Sequence, residues 1–251
     1  MNKEETMLRK RLIELSNQAF HRDVVSFSDF LNLNELNILH TTPKDMFPAR
    51  YETYGGYDLA ERQMVAFLPD ALYYEYEYPM KVVEIRPVHS KFAEELSHRD
   101  YLGAIMNLGI ERCKLGDIIV DDKQAAVFAK EEIAAYIADS LARIRHTVVT
   151  SVVKDATELT YEPKYQVIKG TVASIRLDTI LSTAYGTSRS KITAYIEGAK
   201  VFVNGKLITS NGYHLKDGDM ISVRGVGRVS YESVVGETKK GRYVVTIKKY
   251  I

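Results

Sequence analysis

Residues 176–228 read RLDTILSTAYGTSRSKITAYIEGAKVFVNGKLITSNGYHLKDGDMISVRGVGR. Asp178 suits an N-cap for a short helix over 179–185, and Gly186 suits its stop. Thr187 or Ser188 can cap a second helix over 189–197, ended by Gly198. Two short apolar runs, 201–203 and 206–208, flank Asn204-Gly205. An Asn-Gly pair there predicts a tight hairpin, because both turn positions favour positive φ. Residues 216–219 (KDGD) predict a further turn, which leads into a strand over 220–224. Beyond Arg228, residues 229–251 read as a hairpin with its turn at 238–241. The pattern is two short helices followed by a small sheet.

Charge separates this region from the rest. Residues 170–251 hold 13 Lys/Arg against 6 Asp/Glu, a net of +7; residues 1–169 hold 21 against 27, a net of −6. A basic third on an acidic body suggests a polyanion-binding module, against the plainer reading of a solvated basic surface.

Upstream, the pattern alternates between strand and helix. The apolar stretch VVEI ends at Pro87 and predicts a strand over 80–88. Ser97 can cap a helix over 97–108, which stops at Gly109. DIIV (117–120) and AAVFA (125–129) read as two strands around Asp121-Asp122. KEEIAAYIADSL (130–141) is rich in strong helix formers, and HTVVTSVV (146–153) is β-branched. Strand, helix, strand, strand, helix, strand is the ferredoxin-like arrangement: four strands with two helices on one face. RNA-recognition modules share it, but their stacking aromatics are missing. The third strand offers only Phe128, and the first offers none. Arg86, Lys91, Arg99, Arg112 and Lys114 can supply a basic rim, or ordinary surface charge.

The front is less regular. Leu8, Leu12, Leu15 and Ala19 line one face of a helix over 4–20. Ser28, Asn32 and Asn34 offer further helix starts, and Pro43, Pro48 and Gly55-Gly56 punctuate the rest. YYEYEY at 73–78 has strand-like alternation. The 251 residues, 45% hydrophobic and 27% charged, suit a folded chain. The single Cys113 excludes an internal disulfide and fits a reducing cytosol. No stretch resembles a signal peptide or a membrane span.

Five pieces of the quoted stretch keep the order and approximate spacing of the S4 RNA-binding domain. They are Arg176-Leu177-Asp178, Ser188-Arg189, Ile196-Glu197-Gly198, Val201 to Gly205, and Gly218 to Ile221. The chain therefore resembles that family. GGYDLAER (55–62), FLP (67–69), HRDYLGAIMNLGIER (98–112) and GDIIV (116–120) further resemble the YlmH-like proteins, which carry an S4 domain at the C-terminus. The resemblance covers nearly the whole chain. It implies a cytoplasmic bacterial factor acting on the large ribosomal subunit, in quality control of stalled nascent chains, and an association with cell-division genes.

Enzymatic chemistry finds little support. His98-Arg99-Asp100 lacks the other parts of a kinase site and reads as a helix start. The six histidines are scattered, and Gly225-Val226-Gly227 reads as a turn or bulge. Pseudouridine synthases also carry S4 domains, usually ahead of the catalytic domain, and only 23 residues follow Arg228 here. The reading is α+β: an N-terminal α/β segment (1–74), a ferredoxin-like, RRM-like βαββαβ domain (75–160), and an S4 domain with a C-terminal hairpin (170–251). A non-catalytic RNA binder is expected, with an RNA-modifying enzyme as the alternative. No cofactor, metal, small-molecule substrate or membrane is expected. The partners expected are structured rRNA or tRNA and the large subunit.

Arg176, Ser188, Arg189, Lys191, Lys200, Lys206 and Arg224 are the expected RNA contacts, with Asp178, Asn204 and Gly205 in support. Ser188 and Arg189 stand at a helix N-terminus, where free N–H groups favour phosphate. Arg189 can fork two bonds to one phosphate. Asp178 can cap its helix and orient either arginine. A salt bridge from these arginines to Asp178 or Glu197 is the weaker expectation, because bases outnumber acids here.

Overall fold

The computed structural model describes residues 3–159 and 161–251. Thr160, where the sequence reading ends the middle domain, lies outside them. The chain forms two compact units, divided between Tyr161 and Glu162. The first holds both the segment expected over 1–74 and the middle domain.

The first unit opens with α1 (Lys3–Arg22), followed by β1 (Ser26–Phe27), α2 (Leu33–Thr41), β2 (Arg50–Tyr54) and β3 (Met64–Leu68). Leu12, Leu15 and Ala19 of α1 are buried, as their spacing predicts. Asn32 caps α2 in a capping box with Glu35. The three strands pair antiparallel in the order β1-β3-β2. Every residue of the central MVAFL strand is buried. Val65 and Phe67 pack with Leu12, Leu36 and Leu39, whereas Met64 joins a second core with Phe30. A strand buried on both faces reads as a continuous apolar run, which hides its periodicity.

The middle domain continues with β4 (Met80–Pro87), α3 (His98–Met106), β5 (Leu115–Asp121), β6 (Gln124–Lys130), α4 (Glu131–Ser140), β7 (Arg143–Ile144) and β8 (Thr147–Asp155). The sheet is antiparallel in the order β5-β6-β4-β8-β7. Without the short β7, this is the expected ferredoxin-like core. Tyr101 and Ile105 of α3, with Ala134 and Ile137 of α4, cover one face over Val83, Ile85 and Val127. The opposite face, the stacking face in RNA-recognition modules, is covered too. Met80, Val82, Ala126 and Phe128 lie against Phe30 and Met64. Phe128 is fully buried and stacks on Tyr57, 5.5 Å between centroids.

A polar latch closes this contact. Asp117 accepts from Tyr57 Oη (2.9 Å) and from the amides of Glu61 (2.7 Å) and Arg62 (3.1 Å). The Arg62 guanidinium donates to the carbonyls of Leu115, Phe30 and Arg112. Arg112 donates to the carbonyls of Leu115 and Gly116. Gly56 has φ +98°, and a Cβ there would lie 2.1 Å from the Phe128 ring. Gly56 thus lets the loop lie flat on the ring. Two expectations change here. Arg112 and Lys114 do not form a basic rim: Arg112 turns inward, and Lys114 pairs with Asp29 at 3.1 Å. Residues 73–78 form no strand. Tyr76 and Tyr78 instead pack around Phe27.

The second unit begins with β9 (Tyr165–Val172), then α5 (Leu177–Tyr185), α6 (Arg189–Glu197), β10 (Val201–Val203), β11 (Lys206–Leu207), β12 (Met220–Val223), β13 (Gly227–Glu237) and β14 (Tyr243–Tyr250). The antiparallel sheet runs β11-β10-β12-β13-β14-β9. Leu177, Ile180, Leu181 and Ala184 of α5 bury one helical stripe with Ile192 and Ile196 of α6. They pack on Val201, Ile221, Tyr231 and Ile247, each large apolar side chain contributing roughly 1.5–3 kcal/mol. Gly186 closes α5 at φ +58°, and Asn204 and Gly205 take φ +48° and +76°, as the hairpin turn requires. Among the described residues, no helix is long and apolar enough to cross a membrane.

Candidate nucleic-acid interface

Arg176, rather than Asp178, occupies the N-cap position of α5. The helix therefore starts earlier than the sequence reading places it. Its first amides are taken by the loop before β12: Leu177 N donates to Tyr213 O (2.8 Å) and Asp178 N to Asn211 O (3.3 Å). The end of α5 is thus closed to a ligand by its own chain. The sequence spacing carries no sign of this, because the loop lies more than thirty residues away.

Asp178 has another task. Its side chain is 4% exposed, and it accepts from both arginines. Arg176 donates Nε to Oδ1 and Nη2 to Oδ2, each at 3.1 Å. Arg189 donates Nε (3.2 Å) and Nη2 to Oδ2. The ion pair held to be the weaker expectation is therefore present on both arginines, while Glu197 accepts from Asn211 Nδ2 instead. Burial pushes the Asp178 carboxyl up, but bonds and charge from Arg189 and Arg176 outweigh it and hold the group below the ordinary carboxylate value. Two cations on one anion leave a net positive charge. Each guanidinium meets Asp178 through its Nε–Nη2 edge, so Nη1 takes no part in these bonds. The side chains are 37% and 58% exposed.

The start of α6 lies beside this cluster and remains open. Ser188 is its N-cap, and its hydroxyl accepts from Lys191 N (3.4 Å) and meets Ser190 Oγ at 3.0 Å. Lys191 is exposed within the same turn. Arg176, Ser188, Arg189 and Lys191 therefore form one patch. Lys200 and Arg224 form another at one end of β10, where Arg224 N donates to Lys200 O (2.9 Å). Lys200 lies over the Tyr195 ring and Arg224 over Phe202, each at 5.6 Å. Lys206 stands apart, exposed beyond the turn at the other end of β10. Asn204 is a turn residue: it donates to Asp219 Oδ1 (2.8 Å) and accepts from Met220 N (2.9 Å).

Two family models match the chain. "S4 domain" covers residues 175–221 and contains the cluster and the Asn-Gly turn. "Putative RNA-binding domain in YlmH" covers 74–158, the ferredoxin-like part. The ribosome-associated protein quality control protein P2 of Bacillus subtilis (strain 168) is 30% identical over 197 residues, spanning 78% of this chain and 76% of that protein. Among solved structures, cell division protein ylmH from Streptococcus pneumoniae superposes with a TM-score of 0.50 at 24% identity, covering 64% of this chain and 97% of its own, a likeness of fold. With the Bacillus subtilis relative matching most of both chains, and the S4 model falling on the arginine-bearing helices, the chain belongs to the YlmH-like family of S4-domain RNA-binding proteins.

Proposed function

We propose that the protein is a non-catalytic, cytoplasmic RNA-binding factor that engages the large ribosomal subunit, its tRNA, or both, in quality control of stalled nascent chains. The name of the Bacillus subtilis relative supports the ribosomal context. The observation that carries the reading is the buried Asp178 carboxylate, which holds Arg176 and Arg189 in one orientation beside the open end of α6. A phosphate arriving there meets guanidinium groups already ordered, which lowers the entropy lost on binding. The α6 dipole and Lys191 add attraction, and Lys200 and Arg224 extend the path along the backbone.

The test is a salt titration of affinity for Bacillus subtilis large ribosomal subunits. The Arg176→Ala/Arg189→Ala variant should bind about tenfold or more weakly, with the log–log salt slope shallower by about two. Arg189→Lys should recover only part, because a point charge does not replace the fork. Wild-type affinity and slope in the folded double variant would overturn the site. The non-catalytic reading has its own check: ribosomal RNA from cells lacking the protein should keep every base modification, by mass analysis.

A further inference from the structure

The ferredoxin-like domain has no open stacking face, since Phe30, Tyr57 and Met64 fill that side of its sheet. Its helical side carries something else. A groove of about 580 Å³ runs between α3 and the turn from α4 into β7, with Arg99, Arg143 and Arg145 on its walls. The one acid in its lining, Asp100, is already committed to Ser97 N (2.8 Å), Ser97 Oγ (2.6 Å) and Arg145 Nε (3.2 Å). Among the described residues, Arg99 and Arg143 form no ion pair. Three guanidinium groups thus converge in a part of the chain whose net charge is negative.

Two backbone features mark the same groove. Arg145 has φ +52° at the first position of the two-residue β7–β8 turn, where Ile144 pairs with Thr147. That position favours glycine, so an arginine there is held against local preference. Gly103 sits in the interior of α3, where glycine weakens a helix, yet a Cβ on it would meet nothing within 4 Å. No packing within the protein asks for a glycine. Its effect is to bare the α3 backbone to whatever enters the groove.

We propose that this groove is a second RNA-binding site, in which Arg99, Arg143 and Arg145 grip consecutive backbone phosphates and Gly103 lets the sugar–phosphate chain approach α3. It rests on the RNA-binding function proposed above. The guanidinium fork suits both carboxylate and phosphate. RNA is the favoured occupant because an RNA bound through the S4 residues raises the local phosphate concentration for any second site on the chain.

The test uses the full chain with two probes: Bacillus subtilis large ribosomal subunits, and deproteinised RNA extracted from them. Arg99→Ala/Arg143→Ala/Arg145→Gly should weaken binding to both by about tenfold or more and shallow the salt slope by two to three. The Arg145→Gly change relieves the turn, and a melting temperature of the triple variant close to wild type separates a lost contact from a lost fold. Gly103→Gln should also weaken binding, severalfold, while its melting temperature stays at or above wild type, because glutamine is the better helix former. Wild-type affinity and slope in the triple variant, with binding still lost in Arg176→Ala/Arg189→Ala, would overturn the groove alone. A loss confined to intact subunits would assign it to an acidic protein and overturn the RNA proposal. A wild-type protein that binds neither probe would remove the functional reading itself, and the groove with it.

Discussion

Each unit places an aspartate beside two arginines, and the two arrangements do opposite things. In the front unit, Asp117 takes a tyrosine hydroxyl and two amides, while Arg62 and Arg112 spend their donors on backbone carbonyls. Burial is the largest influence: it raises the Asp117 carboxyl above its ordinary value and brings Arg112 down to about 10. In the S4 unit, Asp178 is bonded directly by guanidinium groups on the surface, and its carboxyl is lowered. The residue types match. What separates a structural latch from a ligand-ready cluster is burial: desolvation lowers the pKa of Arg62 and Arg112, whereas the side chains of Arg176 and Arg189 stay 37% and 58% exposed.

The sharpest way to break this comparison is to remove one arginine from each side. Arg62→Ala leaves the carbonyls of Leu115, Phe30 and Arg112 without that donor, and should cost the front unit roughly 3 kcal/mol or more. The folded fraction should keep wild-type RNA affinity. Arg189→Ala should invert the pattern, with little change in unfolding and a clear loss of affinity. Urea unfolding and binding, measured on both proteins, decide the matter; equal effects on both readouts would dissolve the distinction.

Asp178→Ala gives an intermediate effect. It adds one net positive charge but frees both arginines. If orientation matters more than charge, affinity for large ribosomal subunits should fall about tenfold, or 1.4 kcal/mol, with a stability loss near 1 kcal/mol. Tighter binding would show that charge alone governs the site.

The smallest effects are in pH. A lowered carboxyl stabilises fully above the ordinary value near 4, and this is lost as pH falls through the folded-state value. A raised carboxyl does the reverse: its contribution is full below about 4 and is lost as pH rises through the folded-state value. Hydrogen exchange followed by unit across pH 3–6 should therefore show opposite slopes. Asp178→Asn should remove the acid-side decline in the S4 unit, and Asp117→Asn the decline on rising pH in the front unit.

The comparison also explains what the sequence could reveal. Elements held by local chemistry were legible: the ferredoxin-like order, the Ser188 cap, the Asn204-Gly205 turn and the α1 stripe each rest on signals within a few residues. The arginines of the S4 site were legible through spacing, and their pairing with Asp178 only as the weaker expectation, because bases outnumber acids in that stretch. Asp178 looks like a cap because Asp favours that position, and the distant loop that displaces it leaves no local trace. Short strands escaped for related reasons. The central β3 is apolar on both faces, and the Tyr–Glu alternation at 73–78 has no partner strand to convert it into sheet. Gly103 carries no signal in the sequence, because its meaning depends on the empty space above it.

Among the described residues, the edge strand β9 pairs only with β14, residue for residue from Tyr165–Tyr250 to Val172–Tyr243. Its partner is therefore translated more than seventy residues later. At about 5–20 residues per second, the growing polypeptide spends on the order of 4–17 seconds with that edge exposed. The segment carrying the S4 motif is made in between, so the arginine cluster is synthesised before the sheet beneath it can close. Competence to bind RNA should thus arrive late in translation, and a chain halted before Tyr243 would carry the arginines without the completed sheet that supports them.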